Sequence, residues 1–438
     1  MPRAPDCFGH NLAGVAQKRS DHTAAPAAPG KLRIDGVDAA RALAVFGMFV
    51  VHMGVESLGL LSPDGYAWNL HDLVRGNSSA LFAFLAGVSL AMMTGRTRPI
   101  RGEPLRRAAV RVLTRALFIG LLGVVLDALA VPVAVILTYY AGFFVLALPL
   151  AAFRAGALWA VAGVLAVLGP PLSYLIRDAF ITPQPRTGAV TSFGEFFLTG
   201  YYPAITFMVF VFAGMAVGRM DMGATAVRAR LLLTGGVLTV FGYLGSWVML
   251  YPLGGLDRLV EQSMFMEGRS VGAVDDPQLL ENLRAGVLEE AASISGQVPT
   301  DSWWWLAVNT AHTGTTFEIA VAVGQALIVL VVCMWSAEHA RILMYPLTSV
   351  GRMPLTIYSG HIFVLALIVT PDDAWRTPWL WEGFVLGSIV LAVAWRLLVS
   401  ERGPAEMALR AAGDGAVSLY DENRSGHSAD QRRPPSTH

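Results

Sequence analysis

Arg33-Ile34-Asp35-Gly36-Val37-Asp38-Ala39-Ala40-Arg41-Ala42-Leu43-Ala44-Val45-Phe46-Gly47-Met48-Phe49-Val50-Val51-His52 carries two aspartates, two arginines and a histidine into an otherwise apolar run. Ionisable groups within a membrane helix are costly and tend to be functional. Arg41 and His52 are eleven residues apart. At about 100° and 1.5 Å per residue they share one helix face, roughly 16 Å apart along it. The segment therefore reads as a membrane helix with a charge near one surface and an imidazole toward the other.

The rest of the chain agrees with that reading. Of 438 residues, 54% are hydrophobic and 15% charged, with a mean hydropathy of +0.53, far from a soluble domain. Apolar runs of near-spanning length fall at 37–57, 77–95, 108–127, 133–153, 156–176, 202–219, 231–251, 315–337, 346–369 and 380–399. The expected fold is thus all-α, a polytopic transmembrane helix bundle of about ten spans. Arg96, Arg98, Arg101, Arg106, Arg107, Arg111 and Arg115 follow the second run, and Arg219, Arg228 and Arg230 follow the sixth. The positive-inside rule makes these segments cytoplasmic and places both termini inside. Residues 1–34 and 414–438, polar and poor in core-forming residues, read as disordered cytoplasmic tails around a membrane domain at 35–413. On the outer side, 252–302 holds nine carboxylates against three arginines. From Pro277 its leucines and valines recur at helical spacing, which predicts short amphipathic helices over an outer vestibule. Trp303-Trp304-Trp305 reads as an interfacial anchor.

The Asp38-x-x-Arg41 start with His52 eleven residues on resembles the first core helix of integral-membrane acyltransferases, nearest the heparan-α-glucosaminide N-acetyltransferase group and its bacterial relatives of the YeiB type. Further motifs carry the resemblance in order: Trp68-Asn69-Leu70-His71-Asp72-Leu73-Val74, Leu81-Phe82-Ala83-Phe84-Leu85-Ala86-Gly87-Val88-Ser89, Tyr202-Pro203 leading to Gly214-Met215-Ala216-Val217-Gly218-Arg219, Ala311-His312-Thr313-Gly314-Thr315-Thr316-Phe317-Glu318, Gly351-Arg352-Met353-Pro354, and Gly403-Pro404-Ala405-Glu406. The resemblance implies a plasma-membrane enzyme that moves acetyl from acetyl-CoA to an outward-facing amino sugar or sugar hydroxyl. It also implies that the histidine of the outer segment before the second helix, here His71 followed by Asp72, is catalytic. In a related class that acetylates polysaccharides the histidine eleven after the motif arginine holds that place, which makes His52 the competing base.

Acyl transfer needs a base near the acceptor and a held thioester. Arg41 and Arg352, at the edges of apolar runs, and Arg106 and Arg107 behind them are candidates for the phosphates of coenzyme A, to which guanidinium is well matched. Arg41 can equally pair with Asp38 three residues back, and the arginine cluster can be plain topology-setting charge. Arg75, His312 and His361 are candidates for the substrate vestibule, His361 with packing as its other reading. Thr315 and Glu318 read first as a capping box.

No His/Cys/Asp/Glu spacing fits a metal site. Zero net charge gives no basic excess for nucleic acid. Expected partners are therefore acyl-CoA, a glycan or amino-sugar acceptor and the bilayer, with oligomeric state open. A solute transporter using the same polar line, or a catalytically silent protein of the same fold, are the rival readings.

Overall fold

The computed structural model describes residues 34–53, 74–181, 190, 192–266, 277–369 and 377–430. The chain divides into Met1–Ile34 and Asp35–His438, and the described helices belong to the second unit. They are α1 (Asp35–Met53), α2 (Asn77–Met93), α3 (Glu103–Asp127), α4 (Leu137–Ala147), α5 (Ala155–Phe180), α6 (Ala204–Gly218), α7 (Thr225–Leu250), α8 (Gly255–Met266), α9 (Pro277–Ser293), α10 (Thr316–His339), α11 (Arg341–Gly351), α12 (Pro354–Ile368), α13 (Leu380–Leu398) and α14 (Pro404–Asp430). No strand occurs among the described residues.

Hydrophobicity sorts these helices into two layers. In α1 and α10 the most apolar windows are 78% and 72% buried, whereas in α3, α5, α7 and α13 the figures are 28%, 22%, 22% and 6%. The outer helices turn Leu117, Leu121, Val164, Val167, Val237, Val240, Leu386 and Val390 outward. Apolar exposure on that scale is a lipid-facing surface. Inside the ring, α1 packs on α2, α10 and α11, and α2 packs on α6.

Six helices are long and apolar enough to cross a membrane: α1, α3, α5, α7, α10 and α13. The ten apolar runs of the sequence all coincide with helices, but α2, α6 and the α4 segment through Leu150 are shorter, and α11 and α12 qualify only as a pair bent by 65°. Six helices, or seven with the bent pair, thus have the length and apolarity of a full crossing, against the ten spans expected. The physical reason is length: at 1.5 Å per residue, 15 to 17 residues fall short of a hydrocarbon core of about 30 Å. A helix enclosed by others can be short because protein, not lipid, surrounds it.

Close approach of α2 and α6 is set by glycine. A Cβ on Gly87 would strike the Val211 carbonyl, and one on Gly214 the Phe84 carbonyl. Arg219, at the end of α6, donates to the carbonyls of Ala91, Thr94, Arg96 and Ala151 and to Thr94 Oγ1. The two motifs around these residues are thus one helix crossing with its lock.

The tail expected from residue 414 is corrected for residues 414–430, which continue α14. Leu409, Gly413 and Val417, spaced by four, form its buried face, and Arg107–Asp421 and Arg111–Asp414 pairs at 2.9 Å and 3.5 Å tie it to α3. Low hydropathy concealed a helix that docks through one narrow stripe and ion pairs.

The acidic segment forms α8 and α9 around Leu256, Leu259, Val260, Val287 and Ala291. The three tryptophans, expected together at an interface, divide. Trp303 is half exposed and lies on Tyr174, whereas Trp305 is buried and donates to Asp301 Oδ1 at 2.9 Å.

Candidate active site

At one end of the bundle, α1, α11 and the α13–α14 turn bring charges together. Asp38, 1% exposed, accepts from Arg41 Nη1 at 2.6 Å, and Arg41 Nη2 donates to Ser89 Oγ at 2.7 Å. Gly351 lets α11 touch the Asp38 carbonyl, where a Cβ would collide. Arg352, the next residue, is thereby set against Asp35 at 3.0 Å, Asp38 at 3.8 Å and Glu401. Arg396 joins through Glu401 at 3.2 Å and Ser349 Oγ at 3.1 Å. Among the described residues, three arginines meet three carboxylates here. The Asp38–Arg41 pairing read from spacing is present, and Arg352 shares the same carboxylate.

Two neighbours had no site role in the sequence reading. Glu406 accepts from Leu355 N, Thr356 N and Thr356 Oγ1 at 2.7, 3.2 and 2.5 Å. It caps the start of α12 from α14, a charge placed at the positive end of a helix. Arg115, counted among topology-setting arginines, lies within the α3 span over the Phe144 ring at 5.5 Å, close enough to Arg41 and Glu406 to feel both charges. A cation inside an apolar run was the available signal.

Three turns along α1, His52 Nδ1 and His361 Nε2 are 2.9 Å apart with nearly parallel rings. One ring donates and the other accepts, so each fixes the tautomer of its partner. Phe49 and Tyr358 contact the His361 ring at 4.7 and 5.1 Å, and Tyr358 Oη accepts from Ile136 N at 3.3 Å. His361 is 3% exposed and lines a crevice of about 510 Å³ between α12 and α13. Sequence put His52 and His361 in separate roles. Only folding shows them as one pair, 309 residues apart.

The remaining candidates lie elsewhere. Arg106 and Arg107 are exposed on α3, facing Glu103 at 3.7 and 3.9 Å, with Arg107 also on Asp421. Arg107 thereby serves the α3–α14 contact, and among the described residues neither arginine pairs with the Arg41–Arg352 cluster. Arg75 donates to the carbonyls of Ala292 and Ile294. His312 adopts φ 62° with its ring edge-on to Tyr202 at 5.9 Å, and its carbonyl accepts from Gly296 N at 2.6 Å. His71 and Asp72 lie outside the described residues.

The central helix thus carries an arginine cluster at one end and an imidazole pair at the other. The family profile of the heparan-alpha-glucosaminide N-acetyltransferase catalytic domain matches residues 33–251, and the chain belongs to that family, which is one of membrane acetyltransferases. Among curated proteins no relative matches.

Proposed function

We propose that this chain transfers acetyl from acetyl-CoA, held at the arginine end on the cytoplasmic side of the plasma membrane, to an amino sugar or sugar hydroxyl at the histidine end, facing outward. One observation carries the reading: His52, on the α1 face that bears Arg41, is paired with His361 of α12, in a chain of an acetyltransferase family. Coenzyme phosphates suit the arginine end because Glu401, 59% exposed, is the carboxylate they would displace from Arg352 at least cost. Arg115 adds a further cation there. In the reaction an acceptor nitrogen or oxygen gives its proton to an imidazole, bonds to the thioester carbon, and the C–S bond breaks to release coenzyme A thiolate, which takes up a proton. A positioned base contributes about 10²- to 10⁴-fold. His71, with Asp72 beside it, remains the proposed outer base, with His52 held by His361 as its competitor.

The bent α11–α12 pair is the feature a transporter would share. Purified protein separates the two readings. Saturable binding of acetyl-CoA and transfer to glucosamine support the enzyme; solute uptake with no acetyl-CoA binding would overturn it.

A further inference from the structure

Two cavities that the reaction scheme above leaves unused meet at Asn77. One is polar, about 260 Å³, lined by Arg75, Asn77, Tyr243, Asn309, Thr310 and Glu318 among others. The second is an apolar groove of about 560 Å³ walled by α1, α2, α10 and α13, with Phe46, Val50, Leu81, Val329 and Trp381 along it and Asn77 again at its side. On α10, Glu318 and Val321 line the first cavity, Gln325 and Val329 the second. Spacings of three, four and four put all four on one face over roughly 16 Å. Gln325 Nε2 donates to Tyr243 Oη at 3.3 Å, joining a groove residue to a cavity residue. The polar cavity and the groove are therefore one trough with a wet end and a dry end.

Glu318 decides what the wet end takes. In a capping box the glutamate bonds back to the N-cap residue. Here Thr315 Oγ1 does accept from Glu318 N at 3.2 Å, but the Glu318 carboxylate accepts from the main chain at His312 and Gly314 instead. The side chain is 7% exposed and borders the cavity, with acceptor capacity beyond those two bonds. A carboxylate, a guanidinium, two amides and a phenol around one small volume form a set for hydroxyls and an amine. At 260 Å³ the cavity sits just below the usual range of about 300–1,000 Å³, room for one sugar-sized ring rather than a chain of them. The dry end lies beside α13, the least buried of the six long apolar helices.

We propose that the trough binds a membrane-anchored acceptor: a lipid whose small head group, bearing hydroxyls and an amine, fills the polar cavity while its hydrocarbon lies in the groove between α1, α10 and α13. Calling this lipid the acceptor rests on the acetyl-transfer reading; the binding site itself does not. The test uses full-length protein in phosphatidylcholine nanodiscs and a dodecyl glucosaminide carrying a diazirine in its chain. Saturable labelling is expected on peptides holding Phe46, Val329 or Trp381, competed by unlabelled dodecyl glucosaminide and far less by glucosamine or dodecyl maltoside. Glu318→Gln at the head and Val329→Trp in the groove should each weaken the labelling affinity about tenfold, the effect of roughly 1.4 kcal/mol of lost contact or overpacking. An unchanged thermal melt shows that a variant is folded, and Asn309→Ala replaces Glu318→Gln if it is not. Non-saturable labelling in the phosphatidylcholine background, equal competition by dodecyl maltoside, or wild-type affinity in both variants overturns the site. Labelling as expected in a protein that binds no acetyl-CoA would overturn the transfer reading and leave the lipid site standing.

Discussion

Replacing Asp38 by Asn tests the arginine end most sharply. Asp38 is 1% exposed and faces two cations, Arg41 at 2.6 Å and Arg352 at 3.8 Å, whose own side chains are 19% and 12% exposed. Its loss leaves the cluster of three arginines and three carboxylates with one uncompensated positive charge in a largely dry site. Breaking a buried pair from one side costs about 3–5 kcal/mol. Ser89, Asp35 and Glu401 still hold the two arginines, so the low end, about 3 kcal/mol, is expected. A thermal melt in detergent should show a clear drop for Asp38→Asn. A double-mutant cycle of Asp38→Ala with Arg352→Ala should give a coupling above about 0.5 kcal/mol, the level that residues sharing one network exceed. Acetyl-CoA affinity should hold or improve, since the freed positive charge favours phosphate. A wild-type melting point would refute the account of the cluster as a coupled network, and a sharp loss of coenzyme affinity in folded protein would refute the role given to its arginines.

Other expectations follow from the same geometry. His71→Ala should abolish transfer with melting temperature and acetyl-CoA binding near wild type, whereas His52→Ala should lower both turnover and stability because it strips the buried His361 of its partner; full activity in His71→Ala would move the base to His52. Glu406→Gln should loosen the start of α12 by about 1 kcal/mol, the typical worth of a helix cap, seen as faster proteolysis near Met353 with α14 still present. Gly214→Val drives a side chain into the Phe84 carbonyl, and overpacking of that kind should abolish folded expression, whereas Gly236→Ala, where nothing lies within 4 Å, should be silent. With Cys7 and Cys333 replaced, cysteines at Arg101 and Arg230 should resist an impermeant thiol reagent in intact cells while one at Glu289 labels; the reverse pattern would invert the proposed orientation.

The sequence by itself determined the helical membrane class, because hydrophobic run length and the scarcity of charge are local properties that lipid reads directly. It also offered the Asp38–Arg41 pair, beside a phosphate role for Arg41, and the Thr315 cap, both of which act within one turn of helix. Run length did not show that α2 and α6, at 17 and 15 residues, are shorter than the other apolar helices and enclosed by them. Nor could hydropathy find α14, held to α3 by ion pairs between residues some 300 positions apart. Tertiary structure alone paired His52 with His361, placed Arg352 on Asp38, turned the Glu318 carboxylate away from its expected cap, and separated Arg106 and Arg107 from the arginine cluster. Each of these depends on where one helix face meets another, and a face finds its partner only when the chain packs.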